Sequence, residues 1–186
     1  MDRISEAFAK IPRSNFLPDE IKHKADQDEA LPIGFGQTNS QPYTVKMMLR
    51  WLDPQPGQKV LDVGSGSGWT TALLATIVGP TGTVYAVEKI PELMRFGHDN
   101  CLRLNITNAH FFEAGETLGL PRYAPFDRIL VSASAQHLPD RLLDQLKPGG
   151  KLIIPVQGTI LEITKNPDNS IESDPHPGFV FVPLQM

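Results

Sequence analysis

A glycine-rich turn next to an acidic residue is the stretch of this sequence best suited to binding chemistry. The segment VLDVGSGSGWT, residues 60–70, begins with apolar residues and carries glycines at positions 64, 66 and 68, with Asp62 just before them. Glycine lets the backbone approach a ligand closely because it has no side chain. The dinucleotide-binding pattern G-x-G-x-x-G would put its third glycine at position 69, which is Trp69. The spacing therefore favours a different nucleotide cofactor.

The order acidic-x-Gly-x-Gly-x-Gly resembles the S-adenosylmethionine-binding turn of class I methyltransferases. That cofactor presents an ammonium and a sulfonium, so the carboxylate of Asp62 suits its cationic end. The hydroxyls of Ser65 and Ser67, together with the turn amides, suit its carboxylate. The turn therefore predicts S-adenosyl-L-methionine as the cofactor and S-adenosyl-L-homocysteine as its product.

Two further acidic residues follow later strand-like runs. Glu88 ends the run TVYAVE, where a carboxylate can accept from both ribose hydroxyls. Taken alone, Glu88 also fits a solvated charge at a strand end. Glu116 is expected to reach the adenine amino group. The cofactor-binding residues predicted in this part of the chain are Asp62, Gly64, Ser65, Gly66, Ser67, Glu88, Gly115 and Glu116.

Apolar runs alternate with helix-like segments from residue 59 onward, which is typical of an α/β protein. The strand-like runs are 59–64, 83–88, 109–114, 126–133 and 151–156. The helix-like segments are 69–79, 91–105 and 139–147, with two more upstream at 2–11 and 44–52. Strands that are apolar throughout indicate a parallel sheet with helices on both faces. We expect a doubly wound, mostly parallel sheet of the Rossmann-like methyltransferase type.

The C-terminal part of the chain departs from this alternation. TILEITK (159–165) and GFVFVPL (178–184) read as two strands without a helix between them, which predicts antiparallel edge strands. The intervening NPDNSIESDPHP reads as a mobile turn. We expect a single domain over 1–186. Within it, 1–58 is a helical and substrate-loop segment, 59–156 is the cofactor-binding core, and 157–186 holds the C-terminal strands.

The segment LPIGFGQTNSQPY, residues 31–43, is too polar for a buried strand and too broken for a helix, so it reads as a loop. Together with VLDVGSGSGWTTALLA, APFDRILVSASA, LKPGGKLIIPV and FVFVPL, it resembles the protein-L-isoaspartate O-methyltransferase family. The resemblance runs from about Ile11 to Leu184. Asn39 departs from it, standing where a branched apolar residue is common.

The resemblance implies a repair enzyme that methylates the free carboxylate of L-isoaspartyl residues in damaged proteins and peptides. It implies that the opening loop covers the methyl end of the cofactor, with Thr38 lining the cofactor and Ser40 as the catalytic residue. The acceptor carboxylate is already ionised at pH 7, so a hydroxyl that positions it is sufficient. Without the resemblance, Ser40 reads as the N-cap of the helix that follows.

The resemblance also implies how a peptide is held. FVFVPL is expected to bind the substrate peptide through its backbone, a mode that tolerates varied side chains. Phe35 is expected to form an apolar wall of the same slot. The predicted substrate-binding residues are Ile33, Phe35, Gln37, Val182 and Pro183.

Composition excludes several other classes. The 186 residues carry a formal net charge of −4, so there is no electrostatic case for binding nucleic acid. No apolar run reaches the roughly 18 residues of a membrane span. The single cysteine, Cys101, reads as core packing, and the five histidines show no metal-ligand spacing. We expect a monomeric cytoplasmic protein that uses no metal.

Two alternatives to the repair enzyme remain open from the residues. One is a class I methyltransferase acting on a small molecule. The other is a non-catalytic homologue that binds S-adenosylmethionine. GQTNS together with FVPL favours the repair enzyme over the first alternative. The presence of both Asp62 and Ser40 argues against the second.

Overall fold

The computed structural model describes residues 2–185, which form five α-helices, nine strands and three short 3₁₀ helices. The helices are α1 (Arg3–Lys10), α2 (Pro42–Leu52), α3 (Trp69–Val78), α4 (Pro91–Arg103) and α5 (Asp140–Asp144). The strands are β1 (Leu31–Gly34), β2 (Gln37–Asn39), β3 (Lys59–Val63), β4 (Thr83–Glu88), β5 (Ala109–Glu113), β6 (Phe126–Val131), β7 (Leu146–Val156), β8 (Thr159–Lys165) and β9 (Ile171–Pro177). The 3₁₀ helices, which the sequence did not predict, are Arg13–Phe16, Asp19–Lys24 and Pro121–Tyr123.

Seven strands form the main sheet in the order β5-β4-β3-β6-β7-β8-β9. β3 to β7 run parallel, while β8 and β9 pair antiparallel at one edge. The predicted fold class is therefore confirmed. The strand order reverses at β3, which lies between β4 and β6. In such sheets a ligand crevice opens at the carboxyl ends of the strands near this reversal.

Alternate residues of the central strands pack into two separate cores. Val60 and Val84 belong to the core that α1, α2 and α3 cover. Leu61 and Ile129 belong to the opposite core, which includes Leu142 of α5. Because successive side chains of a strand point to opposite faces, burial on both faces explains why these strands are apolar throughout.

The C-terminal edge strand is not the one the sequence predicted. GFVFVPL forms no strand, and the segment read as a mobile turn supplies β9, which pairs with β8 from Thr159↔Pro177 to Lys165↔Ile171. A tight turn over 166–170 brings β9 directly back against β8. An edge strand pairs through its main chain and tolerates polar side chains and proline, so apolarity is a poor guide to it. The apolar Phe179 and Phe181 instead pack against the core under α2 and α3.

The polar segment before the core is not a simple loop. β1 and β2 form a two-stranded antiparallel hairpin, with Leu31 opposite Asn39 and Pro32 opposite Thr38. Leu31 and Ile33 are buried, and Pro32 and Gly34 are exposed. A two-stranded ribbon needs only one apolar face, which these two alternating residues provide.

The helix predicted over 139–147 is shorter than expected. α5 ends at Asp144, and β7 begins at Leu146, so the LKPGG segment belongs to the strand. Within residues 2–185, none of the helices has both the length and the apolar character needed to span a membrane.

Candidate active site

A cavity of about 320 Å³ opens at the carboxyl ends of β3, β4 and β6, where the strand order reverses. We call it the strand-end cavity. Its walls come from the strand ends, the β1–β2 hairpin, the loop after β5 and the C-terminal tail. Residues from these four regions that line it include Gly64, Gly66, Glu88, Thr38, Gly115, Glu116 and Pro183. Its volume lies within the range of small-molecule sites.

The glycine turn between β3 and α3 fits tightly against α4. A Cβ atom at Gly68 would lie 2.8 Å from the carbonyl oxygen of Gly97, and the φ of Gly68 is +86°. Both the contact and the left-handed conformation require glycine at this position. Gly97 is equally confined, since a Cβ there would lie 3.0 Å from the carbonyl oxygen of Gly66. The turn is therefore held in place by a helix that the sequence motif does not include.

Glu88 is buried, which excludes its reading as a solvated strand-end charge. Its Oε2 accepts from the amide of Gly66 at 2.8 Å, and its Oε1 accepts from the amide of Ile90 at 3.0 Å. The carboxylate lines the strand-end cavity. Each carboxylate oxygen has capacity for a further hydrogen bond, so Glu88 can hold the glycine turn and still accept from a ligand.

Asp62 is completely buried beneath the turn. Its Oδ2 accepts from the Thr71 hydroxyl at 2.7 Å, while its Oδ1 has no partner among the described residues. Burial raises the pKa of Asp62 to about 6, against hydrogen bonds from Thr71 and Thr70 that lower it. Ser65 Oγ, also buried, likewise lacks a partner in this part of the chain. Unpaired buried polar atoms are rare in proteins, and these two fit a ligand carrying a cation and a carboxylate.

Ser65 and Ser67 do not line the strand-end cavity. They border a smaller cleft of about 30 Å³ that also touches Thr38, Ser40 and Gly64. The hydroxyl of Ser67 is already used, because Asn39 Nδ2 donates to it at 3.1 Å. Asp62 lines neither space directly, although Val63 and Gly64, which follow it, line the cavity.

The structure places several hairpin residues in a different space from the one the sequence predicted. Ile33 and Gln37, expected on the substrate side, line the strand-end cavity together with Thr38. Phe35, expected to form an apolar wall of the substrate slot, lies at the hairpin turn, is 60% exposed, and does not line any of the cavities described here.

A wider groove of about 730 Å³ lies on the other side of the hairpin. We call it the tail groove. Its lining includes Asp28, Ser40, Tyr43, Thr44, Ser132 and the tail segment 177–182. Val182 lines both spaces, and the neighbouring Pro183 lines the strand-end cavity only. The tail is fixed by Ser134, whose amide donates to Val182 and whose carbonyl accepts from Leu184.

Ser40 lies free on the wall of the tail groove. The N-cap of α2 is Gln41, so Ser40 is not the cap residue, and its hydroxyl makes no hydrogen bond to any residue within 2–185. The helix-cap reading is therefore wrong.

Sequence reasoning missed Lys89 and Arg141, two cationic residues that line the strand-end cavity. Lys89 directly follows the acidic strand end, which was an available signal. Arg141 lies on α5, far away in sequence, and only the fold brings it to this edge.

The structure also brings together Glu162, Asp174 and His176 on β8 and β9, with ligand atoms within 4.8 Å of one another. Spacing along the sequence could not reveal this cluster, because strand pairing creates it. Lys151 Nζ lies 2.7 Å from Glu162 Oε1 and already supplies a positive charge there.

Comparison with known proteins gives consistent matches. The family model for protein-L-isoaspartate(D-aspartate) O-methyltransferase matches residues 1–186. The protein-L-isoaspartate O-methyltransferase of Pyrococcus horikoshii is 45% identical over 98% of this chain and 84% of its own length. The enzyme of the same name from Methanopyrus kandleri is 44% identical over 98% of this chain and 83% of its own length.

Solved structures agree. A protein-L-isoaspartate O-methyltransferase structure superposes with a TM-score of 0.88 at 27% identity, covering all of this chain, which spans 62% of that protein's length. A Plasmodium falciparum beta-aspartate methyltransferase (PCMT) in complex with S-adenosyl-L-homocysteine superposes with a TM-score of 0.85 at 29% identity. The match covers all of this chain and 91% of that one. By fold and by sequence over residues 1–186, this chain belongs to the protein-L-isoaspartate O-methyltransferase family of S-adenosylmethionine-dependent enzymes.

Proposed function

We propose that this protein transfers a methyl group from S-adenosyl-L-methionine to the free carboxylate of L-isoaspartyl residues in damaged proteins and peptides. One observation carries the proposal. The strand-end cavity and the tail groove share Thr38, Ser132 and Val182 as common walls. A donor in the first space and an acceptor in the second would therefore meet across these three residues.

The residues of the strand-end cavity, together with Asp62 and Ser65 next to it, suit the cofactor. We assign Glu88 to the ribose hydroxyls, Gly115 and Glu116 to the adenine end, and the unpaired Asp62 and Ser65 to the amino acid end. S-Adenosylmethionine supplies an activated methyl group with its own leaving group. The protein then has only to bind the methyl donor and the acceptor, orient them, and exclude water. The relative solved with S-adenosyl-L-homocysteine supports the choice of cofactor.

The acceptor side requires positioning rather than acid–base chemistry. An isoaspartyl carboxylate is ionised at pH 7 and needs no general base. The free hydroxyl of Ser40 can donate to one carboxylate oxygen and leave the other to attack. With an ionised acceptor and an activated methyl group, the reaction needs no Lewis acid, and we assign no metal to it.

The tail suits recognition of a peptide main chain. Val180 is 97% exposed on the tail groove, and its amide donates to no other described residue. An extended peptide can pair with such a segment whatever its side chains, which a repair enzyme requires. We propose that one protein chain contains the whole site and acts as a monomer.

The test uses two peptides that differ only in one residue, L-isoaspartate or L-aspartate. Wild-type protein should transfer labelled methyl groups to the first and leave the second at background. A product that is stable in acid and lost in mild base identifies a methyl ester.

Two outcomes would contradict the proposal. Methylation of small carboxylic acids without isoaspartyl peptide would indicate a small-molecule methyltransferase. Binding of S-adenosyl-L-homocysteine without any methyl transfer would indicate a non-catalytic homologue.

A further inference from the structure

A buried asparagine bridges the two halves of the site. Asn39 ends β2, is 5% exposed, and lies between Thr38 and Ser40 in the sequence. Thr38 lines the strand-end cavity, and Ser40 lines the tail groove. Asn39 itself lines the smaller cleft of about 30 Å³, which also touches Thr38 and Ser40.

One end of the Asn39 amide holds the glycine turn. Its Nδ2 donates to Ser67 Oγ at 3.1 Å, and both groups are buried. Ser67 follows Gly66, which lines the strand-end cavity and whose amide donates to Glu88. A ligand that fixes Glu88 and Gly66 therefore also fixes the position of the Ser67 hydroxyl.

The other end of the Asn39 amide meets a buried cation. Arg13 Nε donates to Asn39 Oδ1 at 2.7 Å, and the guanidinium lies 5.5 Å from the ring centroid of Trp69, the first residue of α3. The Arg13 terminal nitrogens donate to five backbone carbonyls, those of Ala25, Gln27, Glu29, Asn39 and Ser40. The carbonyls of Asn39 and Ser40 are thus tied to one group.

Arg13 remains charged at neutral pH. Burial lowers the pKa of Arg13 to about 10, and Asp28 and Glu29 oppose that shift. Hydrogen bonds from a charged donor are stronger than neutral ones, and the planar guanidinium holds its acceptors in fixed directions. Arg13 therefore holds the Asn39 side chain and the carbonyls of Asn39 and Ser40 in fixed directions.

We propose that Asn39 is a positioning residue that couples cofactor binding to peptide binding through its hydrogen bonds to Ser67 and Arg13. The coupling rests on the function proposed above, because it joins the two ligands of that reaction. Cofactor bound at Gly66 and Glu88 would fix the glycine turn, and Asn39 would then hold Ser40 in place for the peptide. By thermodynamic linkage, bound peptide must tighten the cofactor by the same factor.

The test measures that factor directly. Calorimetry gives the Kd of S-adenosyl-L-homocysteine without and with saturating isoaspartyl peptide, and no turnover occurs with this product. Wild-type protein should show at least a roughly fivefold ratio of the two constants, the lower end of ordinary coupling. Asn39→Val removes both hydrogen bonds of the amide, and its ratio should fall towards one.

Two further variants separate coupling from stability. Asn108→Val removes a different asparagine, one that donates to Ala75 and Gly79 away from the site. This control should lower the melting temperature and leave the ratio at the wild-type value. Ser67→Ala deletes the same Asn39 hydrogen bond from its other partner, so it tests the coupling even where Asn39→Val does not fold.

The outcomes are distinct. A ratio that falls in Asn39→Val or Ser67→Ala but not in Asn108→Val supports the coupling. Suppose that wild-type protein methylates isoaspartyl peptide. A wild-type ratio of one, or a ratio that is unchanged in both site variants, would then overturn the coupling and leave the proposed function standing. Wild-type protein that does not methylate the peptide overturns the proposed function and the coupling with it.

Discussion

Asp62 is a carboxylate that the fold removes from water, and this determines how it titrates. Its raised pKa, about 6, follows from burial, which outweighs the lowering effect of the hydrogen bonds from Thr71 and Thr70. A buried acid with a raised pKa stabilises the folded state while protonated. That contribution is complete below the unfolded pKa of about 4 and is lost as the pH rises to about 6.

We expect Asp62→Asn to abolish this pH dependence. Asparagine resembles the protonated acid, so the unfolding free energy of the variant should rise relative to that of the wild type by about 2 kcal/mol between pH 4 and pH 7. Denaturant unfolding of both proteins without cofactor, at several pH values, measures the difference. A difference that does not change with pH would show that Asp62 does not titrate in this range.

The Asp62 carboxylate should also make cofactor binding depend on pH. A cation held near Asp62 favours its ionised form, so the affinity for S-adenosyl-L-homocysteine should fall as the pH drops below about 6. Asp62→Asn should bind more weakly at pH 8 and show a flat profile. Calorimetry over this range checks both statements, and an equally steep profile in the variant would assign the titration to another group.

Ser40→Ala tests the positioning hydroxyl. Loss of one hydrogen bond to a charged acceptor should lower kcat with isoaspartyl peptide on the order of ten- to a hundred-fold. The melting temperature should change little, since Gln41 is the residue at the helix cap and the Ser40 hydroxyl bonds to nothing within 2–185. Normal turnover with a lowered melting temperature would instead make Ser40 structural.

At the scale of elements, the contact between α4 and the glycine turn holds the site's shape. Alanine usually stabilises a helix interior relative to glycine. Gly97 is an exception, because a Cβ there would lie 3.0 Å from both the carbonyl oxygen of Gly66 and the ring of Phe111.

We therefore expect Gly97→Ala to destabilise the protein by about 1–3 kcal/mol, the usual cost of overpacking. It should also weaken binding of S-adenosyl-L-homocysteine, since the turn must move. The nearby exposed Asp99→Ala serves as the control and should leave both quantities near their wild-type values. A stabilised Gly97→Ala variant with normal binding would show that α4 and the glycine turn can move apart without loss of stability.

The C-terminal tail is a second element-scale feature, and it contacts both spaces. Deleting the tail would therefore disturb the cofactor and the peptide together. Val180→Pro is a sharper test, because it removes one exposed amide N–H that no other described residue uses. We expect a higher KM for isoaspartyl peptide and an unchanged Kd for S-adenosyl-L-homocysteine. Val180→Ala keeps the amide and should behave as the wild type; an equal effect in both variants would point to the side chain.

At the scale of the whole molecule, the site depends on segments from the entire chain. The hairpin, the central strand ends, the loop after β5 and the tail all line the strand-end cavity. We therefore expect one cooperative unfolding transition. S-Adenosyl-L-homocysteine at 100 times its Kd should stabilise the folded state by about 2.7 kcal/mol, which raises Tm by roughly 5–10 °C for a chain of this size. Two transitions, with only one shifted by ligand, would contradict a single domain.

The sequence alone determined the features that local patterns encode. Buried parallel strands must be apolar throughout, so β3 to β7 could be located from composition. The glycine turn could be recognised because its left-handed backbone conformation already requires glycine, whatever packs against it. The family resemblance then assigned roles to Thr38 and Ser40 that no periodicity could have given.

Only the tertiary structure decided the features that depend on distant partners. β9 is polar and rich in proline, and its pairing with β8 comes from main-chain hydrogen bonds that leave no apolar signal. The junction of Asn39 with Arg13 and Ser67 joins residues 26 and 28 positions apart. Such bridges depend on where the chain returns in space. One sequence shows which residues could form hydrogen bonds, and the fold determines which of them meet.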